Sequence, residues 1–126
     1  MQTAGTHYAT VKIHFDAAHF LRGYVGKCAN LHGHRWDVAA TVAVRELDSI
    51  GMSIDFGDIK KLLKTTVNHL DHSFLNEKAP FDTINPTSEN IAAWLFHELK
   101  DLIPKGKLKK ITVWESPDTW SSFEAD

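Results

Sequence analysis

Cysteine is almost absent from the sequence, and long apolar runs and an excess of charge of one sign are missing too. The 126 residues include one cysteine, which excludes an internal disulfide and favours a reducing compartment, so we expect a cytoplasmic protein. No apolar run reaches the roughly 18 residues of a transmembrane helix, and the first residues lack the basic and then apolar layout of a signal peptide. The net charge is only -2, so nothing predicts a nucleic-acid or membrane partner.

Linkers, repeats and low-complexity segments are also missing, so we expect a single domain over residues 1–126. Hydrophobic residues make up 43% of the sequence, which is enough to bury a core. Histidine, by contrast, is abundant: there are eight, and three of them lie between positions 19 and 34. That segment is the first candidate for a functional site.

Alternating apolar residues predict three β-strands. Residues 8–19 place Val11, Ile13 and Phe15 on one parity, with His19 at the end of the strand. Residues 34–47 predict a second strand, in which both parities are apolar around Val38 to Val44, as is typical of a strand that is covered on both sides. Residues 107–116 predict a last strand, and a short further strand is possible near residues 51–54.

Two amphipathic helices are predicted before the last strand. Apolar residues recur at three- and four-residue spacing over residues 56–70, with Asp55 or Asp58 near the start of the helix. Thr87 or Ser88 is expected to cap the second helix. Its apolar stripe comprises Ile91, Trp94, Leu95, Leu99 and Leu102, and Pro104 and Gly106 end it.

The order of these elements predicts an α+β fold. We expect an antiparallel sheet, four-stranded if the short strand is present, with both helices on one face. Such a sheet has two open edges and one uncovered face, and proteins commonly manage both by pairing with further copies. We therefore expect an oligomer.

His32 and His34 are candidate metal ligands. Side chains two apart on a strand point to the same side, and Gly33 leaves room between them. If the first two strands pair as a hairpin, His19 completes a three-histidine site. Three protein ligands and an open position are typical of catalytic zinc. A His-x-His pair alone also occurs without metal.

Cys28 has three possible roles: a fourth ligand, an inert buried thiol or a reactive base. A neighbouring cation such as Lys27 would favour the thiolate, whereas the composition alone favours the inert thiol. Asp71 and His72 form a carboxylate–histidine pair that could exchange protons with it. The alternative for His72 is a histidine favoured by the dipole at a helix C-terminus.

Glu115 shares the parity of Ile111 and Val113, so it is expected to point inward. A buried carboxylate must be paired or hydrogen-bonded. It either meets a buried cation or binds a ligand with adjacent N–H and NH2 donors, such as a pterin or guanine ring.

Together these segments resemble the 6-pyruvoyl- and 6-carboxy-tetrahydropterin synthase family. The matching pieces are FDAAH, CANLHGH, IDFGDIK, LDHSFLN, NPTSENIA and VWES, in family order over about residues 8 to 118. The resemblance implies a tunnelling fold (T-fold), in which sheets from several subunits join into a barrel, typically in a homohexamer made of two trimers.

The resemblance also implies roles for the site residues. Zn²⁺ would be held by His19, His32 and His34, and Cys28 would be the base that removes a proton. Asp71 and His72, from the same or a neighbouring subunit, would form its relay. Glu115 would hold the pterin ring, with a second role in the relay. Thr87, Ser88 and Glu89 would help frame the ring pocket.

The spacing of three residues between Cys28 and His32 is shorter than in the pyruvoyl enzymes of animals and resembles the bacterial carboxy-tetrahydropterin synthases of the queuosine (7-deazaguanine) pathway. These lyases convert 7,8-dihydroneopterin triphosphate to 6-carboxy-5,6,7,8-tetrahydropterin, acetaldehyde and triphosphate. The tail after Glu115 is closer to the pyruvoyl type.

The triphosphate needs cations, and Arg22, Lys27, Lys12 and Arg35 are all candidates.

Three other functions stay open at this point. The first is a pyruvoyl synthase, in which the same site eliminates triphosphate. The second is a zinc hydrolase, which would not need Cys28. The third is a non-catalytic oligomer that binds pterin through Glu115 without turnover.

Overall fold

The computed structural model describes residues 4–26 and 29–126, which form one five-stranded sheet and two α-helices. Cys28 and Lys27 lie outside the described residues. The elements in chain order are β1 (His7–His19), β2 (His32–Val44), α1 (Phe56–Val67), β3 (Ser73–Phe74), a 3-10 helix (Leu75–Glu77), α2 (Ser88–Leu99), β4 (Lys107–Ser116) and β5 (Thr119–Phe123).

The sheet has the strand order β3-β1-β2-β4-β5. The prediction of four antiparallel strands was therefore wrong: there are five, and β3 runs parallel to β1. No strand forms at residues 51–54. The extra strands are β3, whose two residues are too few to show a period, and β5, which follows the turn at Pro117 and Asp118 and pairs back onto β4.

Both helices pack against the same face of the sheet. Alternate residues of β1 and of β2 lie in the core, and the register pairs them directly, as in Ile13 with Val38. Three other elements bury residues in the same core: α1 (Ile59, Leu63, Val67), α2 (Ile91, Ala92, Leu95, Phe96, Leu99) and β4 (Leu108, Ile111, Val113). The apolar stripes thus fix which face of the sheet is covered.

Each helix begins at a side-chain cap. The Asp55 carboxylate accepts from Gly57 N at 2.8 Å, and the Thr87 hydroxyl accepts from Asn90 N at 3.0 Å. The predicted apolar stripe of α2 is too long, because Leu102 lies beyond the end of the helix and is 53% exposed. No helix in the described parts of the chain is long and apolar enough to cross a membrane.

The opposite face of the sheet carries polar and aromatic side chains. The hydroxyls of Thr10 and Thr41 lie 3.0 Å apart across β1 and β2, and the Lys12 ammonium lies 4.4 Å from the centre of the Trp114 ring. No helix within residues 4–26 and 29–126 packs on this face. The single-chain fold therefore leaves it uncovered, as the sequence predicted.

Candidate metal centre and adjoining pocket

Three histidines converge at one end of the β1–β2 hairpin. The strand register places His19 directly opposite His32, and His34 follows on the same side of β2. The ligating nitrogens of the three side chains lie within 4.8 Å of one another. The predicted cluster forms, and the group could bind a metal ion.

Backbone carbonyls fix the direction of two of these rings. His19 Nδ1 lies 2.7 Å from the Pro86 carbonyl oxygen, and His32 Nδ1 lies 2.6 Å from that of Asn30. A carbonyl can only accept, so we assign the proton of each neutral ring to Nδ1, which leaves both Nε2 atoms as lone pairs. Such a partner on the second nitrogen is the usual arrangement for a metal-binding histidine.

The remaining nitrogens also suit a cation. His19 Nε2 and His32 Nε2 face each other at 2.9 Å, and two lone pairs at that distance repel unless a cation or proton lies between them. His34 Nε2 is buried and has no hydrogen-bond partner among the described residues, which ordinarily costs about 1–3 kcal/mol. One ion bound by all three atoms would remove both penalties, so the residues fit Zn²⁺.

Burial keeps the cluster in the form that binds metal. The pKa of His19 is lowered to about 4, mainly because the ring is buried, although the hydrogen bond to Pro86 opposes the shift. The pKa of His34 is lowered as well, first by burial and then by the neighbouring His32. These two imidazoles are therefore neutral near pH 7, as metal ligation requires.

Trp36 forms the floor of the cluster. Its indole is fully buried and lies edge-on to His19 and His34, with ring centres 4.8 Å and 5.3 Å apart. Trp36 Nε1 donates to the Ala17 carbonyl at 3.3 Å. Sequence reasoning did not assign Trp36 to the site. Trp36 continues the parity of His32 and His34, and this alternation could have identified it.

A pocket of about 270 Å³ contains the ring-binding residues that the sequence suggested. Its lining joins the start of α2 to the hairpin of β4 and β5. The lining residues are Leu21, Thr87, Ser88, Glu89, Glu115, Thr119, Trp120 and Ser121. The four that sequence reasoning missed come from β5, which was not predicted, and from the loop after β1.

The two carboxylates of the pocket differ in their electrostatics. Burial raises the pKa of Glu115; the nearby His32 opposes this shift and Glu89 adds to it. The pKa of Glu89 is lowered, chiefly because the Ser88 hydroxyl donates to it at 2.8 Å. The Pro86 carbonyl that contacts His19 directly precedes Thr87 of the pocket lining, so the pocket adjoins the histidine cluster.

Asp71 and His72 form the predicted pair at the outer edge of β1. Asp71 Oδ1 lies 3.0 Å from His72 Nδ1 and also accepts from Asp16 N at 3.0 Å. These contacts lower the pKa of Asp71, the hydrogen bond from Asp16 having the largest effect.

The His72 backbone is left-handed, with φ 55°, which is uncommon outside glycine. The backbone N–H of His72 donates to the Asp16 carbonyl at 2.6 Å.

The structure does not bring this pair to Glu115 within one chain. Asp71 and His72 precede β3 at one edge of the sheet, whereas Glu115 is on β4, and β1 and β2 lie between β3 and β4. The His72 side chain is 78% exposed. Within one chain, the pair and Glu115 therefore lie at separate places in the sheet.

Of the candidate cations for a triphosphate, Arg22 is already engaged. Its guanidinium donates to the backbone carbonyls of Phe81 at 2.9 Å and of Asn76 and Ile84 at 3.3 Å. These contacts favour a structural role for Arg22.

Lys12 and Arg35 are the other candidates among the described residues. Both are exposed, Lys12 over the Trp114 ring. Arg35 is paired with Asp37 at 3.4 Å in an exposed contact that water screens.

Comparisons with known proteins show what this chain is similar to. The family model described as 6-pyruvoyl tetrahydropterin synthase matches residues 8–126. A Synechocystis protein named 6-carboxy-5,6,7,8-tetrahydropterin synthase is 42% identical over 69% of this chain and 70% of its own length. A Rickettsia bellii protein of the same name is 37% identical over 71% of this chain and 78% of its own length. The solved Caenorhabditis elegans 6-pyruvoyl tetrahydropterin synthase is 27% identical, covers 100% of both chains and has a TM-score of 0.86.

Proposed function

This chain belongs to the 6-pyruvoyl tetrahydropterin synthase family, and from that premise we propose that it is a zinc-dependent 6-carboxytetrahydropterin synthase. It converts 7,8-dihydroneopterin triphosphate and one water to 6-carboxy-5,6,7,8-tetrahydropterin, acetaldehyde and triphosphate, a step of queuosine biosynthesis. The observation that carries the proposal is a three-histidine cluster beside a pocket that contains Glu115. Relatives named for this activity support the carboxy product.

The histidine cluster holds the metal next to the substrate side chain. His19, His32 and His34 would hold Zn²⁺ through their three converging nitrogens. Zn²⁺ bound there supplies Lewis acidity toward the side-chain hydroxyls of the substrate. Trp36 shields the cluster from water on the core side.

The pocket holds the pterin ring. Glu115 in its carboxylate form accepts from adjacent ring N–H and NH2 groups, which are the donors that satisfy a half-buried carboxylate. Glu89, Thr87 and Ser88 frame the ring from the start of α2. The Ser88 hydroxyl holds the Glu89 carboxylate in place at 2.8 Å.

Proton transfer falls to Cys28 and to the pair of Asp71 and His72. A thiolate at Cys28 takes the proton from the substrate carbon, and His72, oriented by Asp71, exchanges protons with it. The pair lies at the far edge of the sheet from Glu115, so a neighbouring copy supplies it in a homohexameric barrel.

The second candidate is a 6-pyruvoyl-tetrahydropterin synthase. The similarity to the C. elegans structure over the whole chain favours it, and so does the tail after Glu115. The same residues would bind the same substrate, so the two candidates differ only in the product.

Product analysis tests the proposal. Metal-loaded protein is incubated with 7,8-dihydroneopterin triphosphate, and the products are identified by mass. We expect 6-carboxy-tetrahydropterin and acetaldehyde from the wild type and neither from Cys28→Ala, with His14→Ala as a control on the uncovered face of the sheet. A pyruvoyl product would move the protein to the second candidate. Full activity of Cys28→Ala would favour a zinc hydrolase, and bound pterin and zinc without turnover would favour a binding protein.

A further inference from the structure

Two asparagine side chains hold the segment that follows His19. Asn76 accepts from Phe20 N at 3.0 Å and donates to Phe20 O at 3.1 Å. Asn85 accepts from Arg22 N at 2.9 Å and donates to Arg22 O at 2.9 Å. Each amide thus pairs with both backbone groups of one residue, as a neighbouring strand would.

Asn85 also belongs to the chain segment that orients His19. Asn85 directly precedes Pro86, whose carbonyl lies 2.7 Å from His19 Nδ1. The Asn85 carbonyl in turn accepts from Asn90 Nδ2 at 2.9 Å, which anchors it to the start of α2. The position of the Pro86 carbonyl therefore depends on contacts at Asn85.

The held segment also reaches the pocket. Leu21 lies between the two clamped residues, Phe20 and Arg22, and lines the cavity beside Glu115. A shift of this segment would move a metal-cluster residue and a pocket residue together. Asn76 is itself buried, with 6% exposure. If its side chain is removed, water cannot readily reach Phe20 to replace the two lost hydrogen bonds.

We propose that Asn76 and Asn85 are positioning residues that set the orientation of His19 for metal binding and of Leu21 for ring binding. The proposal rests on the proposed function, because it needs His19 to be a zinc ligand. Neither asparagine touches the metal or the ring. Both act by holding residues 20–22 against residues 76–86, and the Arg22 guanidinium donates to three backbone carbonyls of the same segment.

The test measures zinc affinity by competition with a chromogenic chelator and records the absorption spectrum of the Co²⁺-substituted protein. We expect Asn85→Ala and Asn76→Ala to bind zinc about 10–100-fold more weakly than the wild type, the range for loss of an outer contact at a metal site. The Co²⁺ bands should shift, because His19 would be held less firmly. Asn85→Asp keeps the acceptor for Arg22 N and loses the donor to Arg22 O, so its affinity should be intermediate.

Asp48→Ala is the matched control. Its carboxylate accepts from Ile50 N and Met52 N at 3.0 Å and 2.9 Å in a remote turn, so the variant also loses two hydrogen bonds to the backbone. Thermal unfolding of the metal-free proteins measures any general loss of stability. The control is expected to keep the zinc affinity and the Co²⁺ spectrum of the wild type.

Two results would overturn the proposal in distinguishable ways. If the wild type binds zinc tightly and both alanine variants match its affinity and spectrum, the positioning role is wrong and the metal site stands. If the wild type itself binds no zinc, the metal assignment of the proposed function fails, and the positioning role fails with it.

Discussion

At the scale of single residues, the candidate metal centre depends on how each imidazole is held. The spacing of His32 and His34 and the strand end at His19 were enough to predict the cluster, because strand geometry follows directly from alternation. The carbonyl of Pro86 could not be predicted, since a backbone acceptor leaves no mark in the sequence. Cys28 stays a prediction from the sequence, outside the described residues.

Replacing His32 tests the ligand set. We expect His32→Ala to weaken zinc binding more than about a hundredfold, beyond the usual effect of an outer contact, and to lose activity in parallel. Metal content after dialysis and turnover check this together. His14→Ala is the matched control, because His14 is exposed on the uncovered face of β1. Zinc at full stoichiometry in His32→Ala would contradict the assignment.

Glu115 should give pterin binding a characteristic dependence on pH. Ring donors need the carboxylate, and burial raises the pKa of Glu115 above its ordinary value of 4.5. Affinity should therefore be full above the raised pKa and fall as the pH drops through it, earlier than for an ordinary glutamate. Calorimetric titration with 7,8-dihydroneopterin, which lacks the triphosphate leaving group, measures this.

Two variants separate ring binding from a structural role of Glu115. Glu115→Gln should abolish the pH dependence, and Glu115→Ala should weaken pterin binding far more than zinc binding. An equal loss of pterin and zinc in Glu115→Ala would mean that Glu115 is structural.

At the scale of elements, the long periodic segments were predicted well and the short ones were not. The bounds of β1 and the starts of α1 and α2 followed from alternation, helical spacing and caps, whereas both helices end three residues earlier than their predicted apolar patterns, at Val67 and Leu99. Strand β3 has two residues and β5 has five. Strand β3 forms by pairing with β1, which is far away in sequence, and β5 forms by pairing with β4 across a turn. The pocket residues Trp120 and Ser121 were missed for that reason.

The cap of α2 links helix stability to the pocket. Thr87→Ala and Asp55→Ala each remove one N-cap contact, so each should cost about 1 kcal/mol and lower Tm by roughly 4 °C. Only Thr87→Ala should also weaken pterin binding, because Thr87 lines the pocket. Thermal melts and pterin titration of both variants check this. Equal pterin affinity in the two variants would show that the start of α2 does not frame the ring.

At the scale of the whole molecule, the single chain leaves its sheet incomplete. β3 pairs only with Ala17 and Ala18, so the outer edge of β1 before them has no strand partner in the described chain. An open edge of this length is usually covered by another strand. The separation of Asp71 and His72 from Glu115 gives a second reason to expect further copies.

We predict a homohexamer in solution, with a mass about six times the 14.2 kDa of the chain. Sedimentation equilibrium at the protein concentrations used for turnover measures this. The oligomer also predicts complementation: mixing inactive His72→Ala with inactive Glu115→Ala should restore part of the activity once subunits exchange. A fully active monomer would refute the shared site.

The most direct test of the account is a titration of activity with zinc. Metal-free protein is supplied with increasing Zn²⁺, and turnover of 7,8-dihydroneopterin triphosphate is measured at each ratio. A catalytic cluster of His19, His32 and His34 predicts a rate that rises in proportion and levels off at one zinc per chain. Full turnover by rigorously metal-free protein would contradict the account.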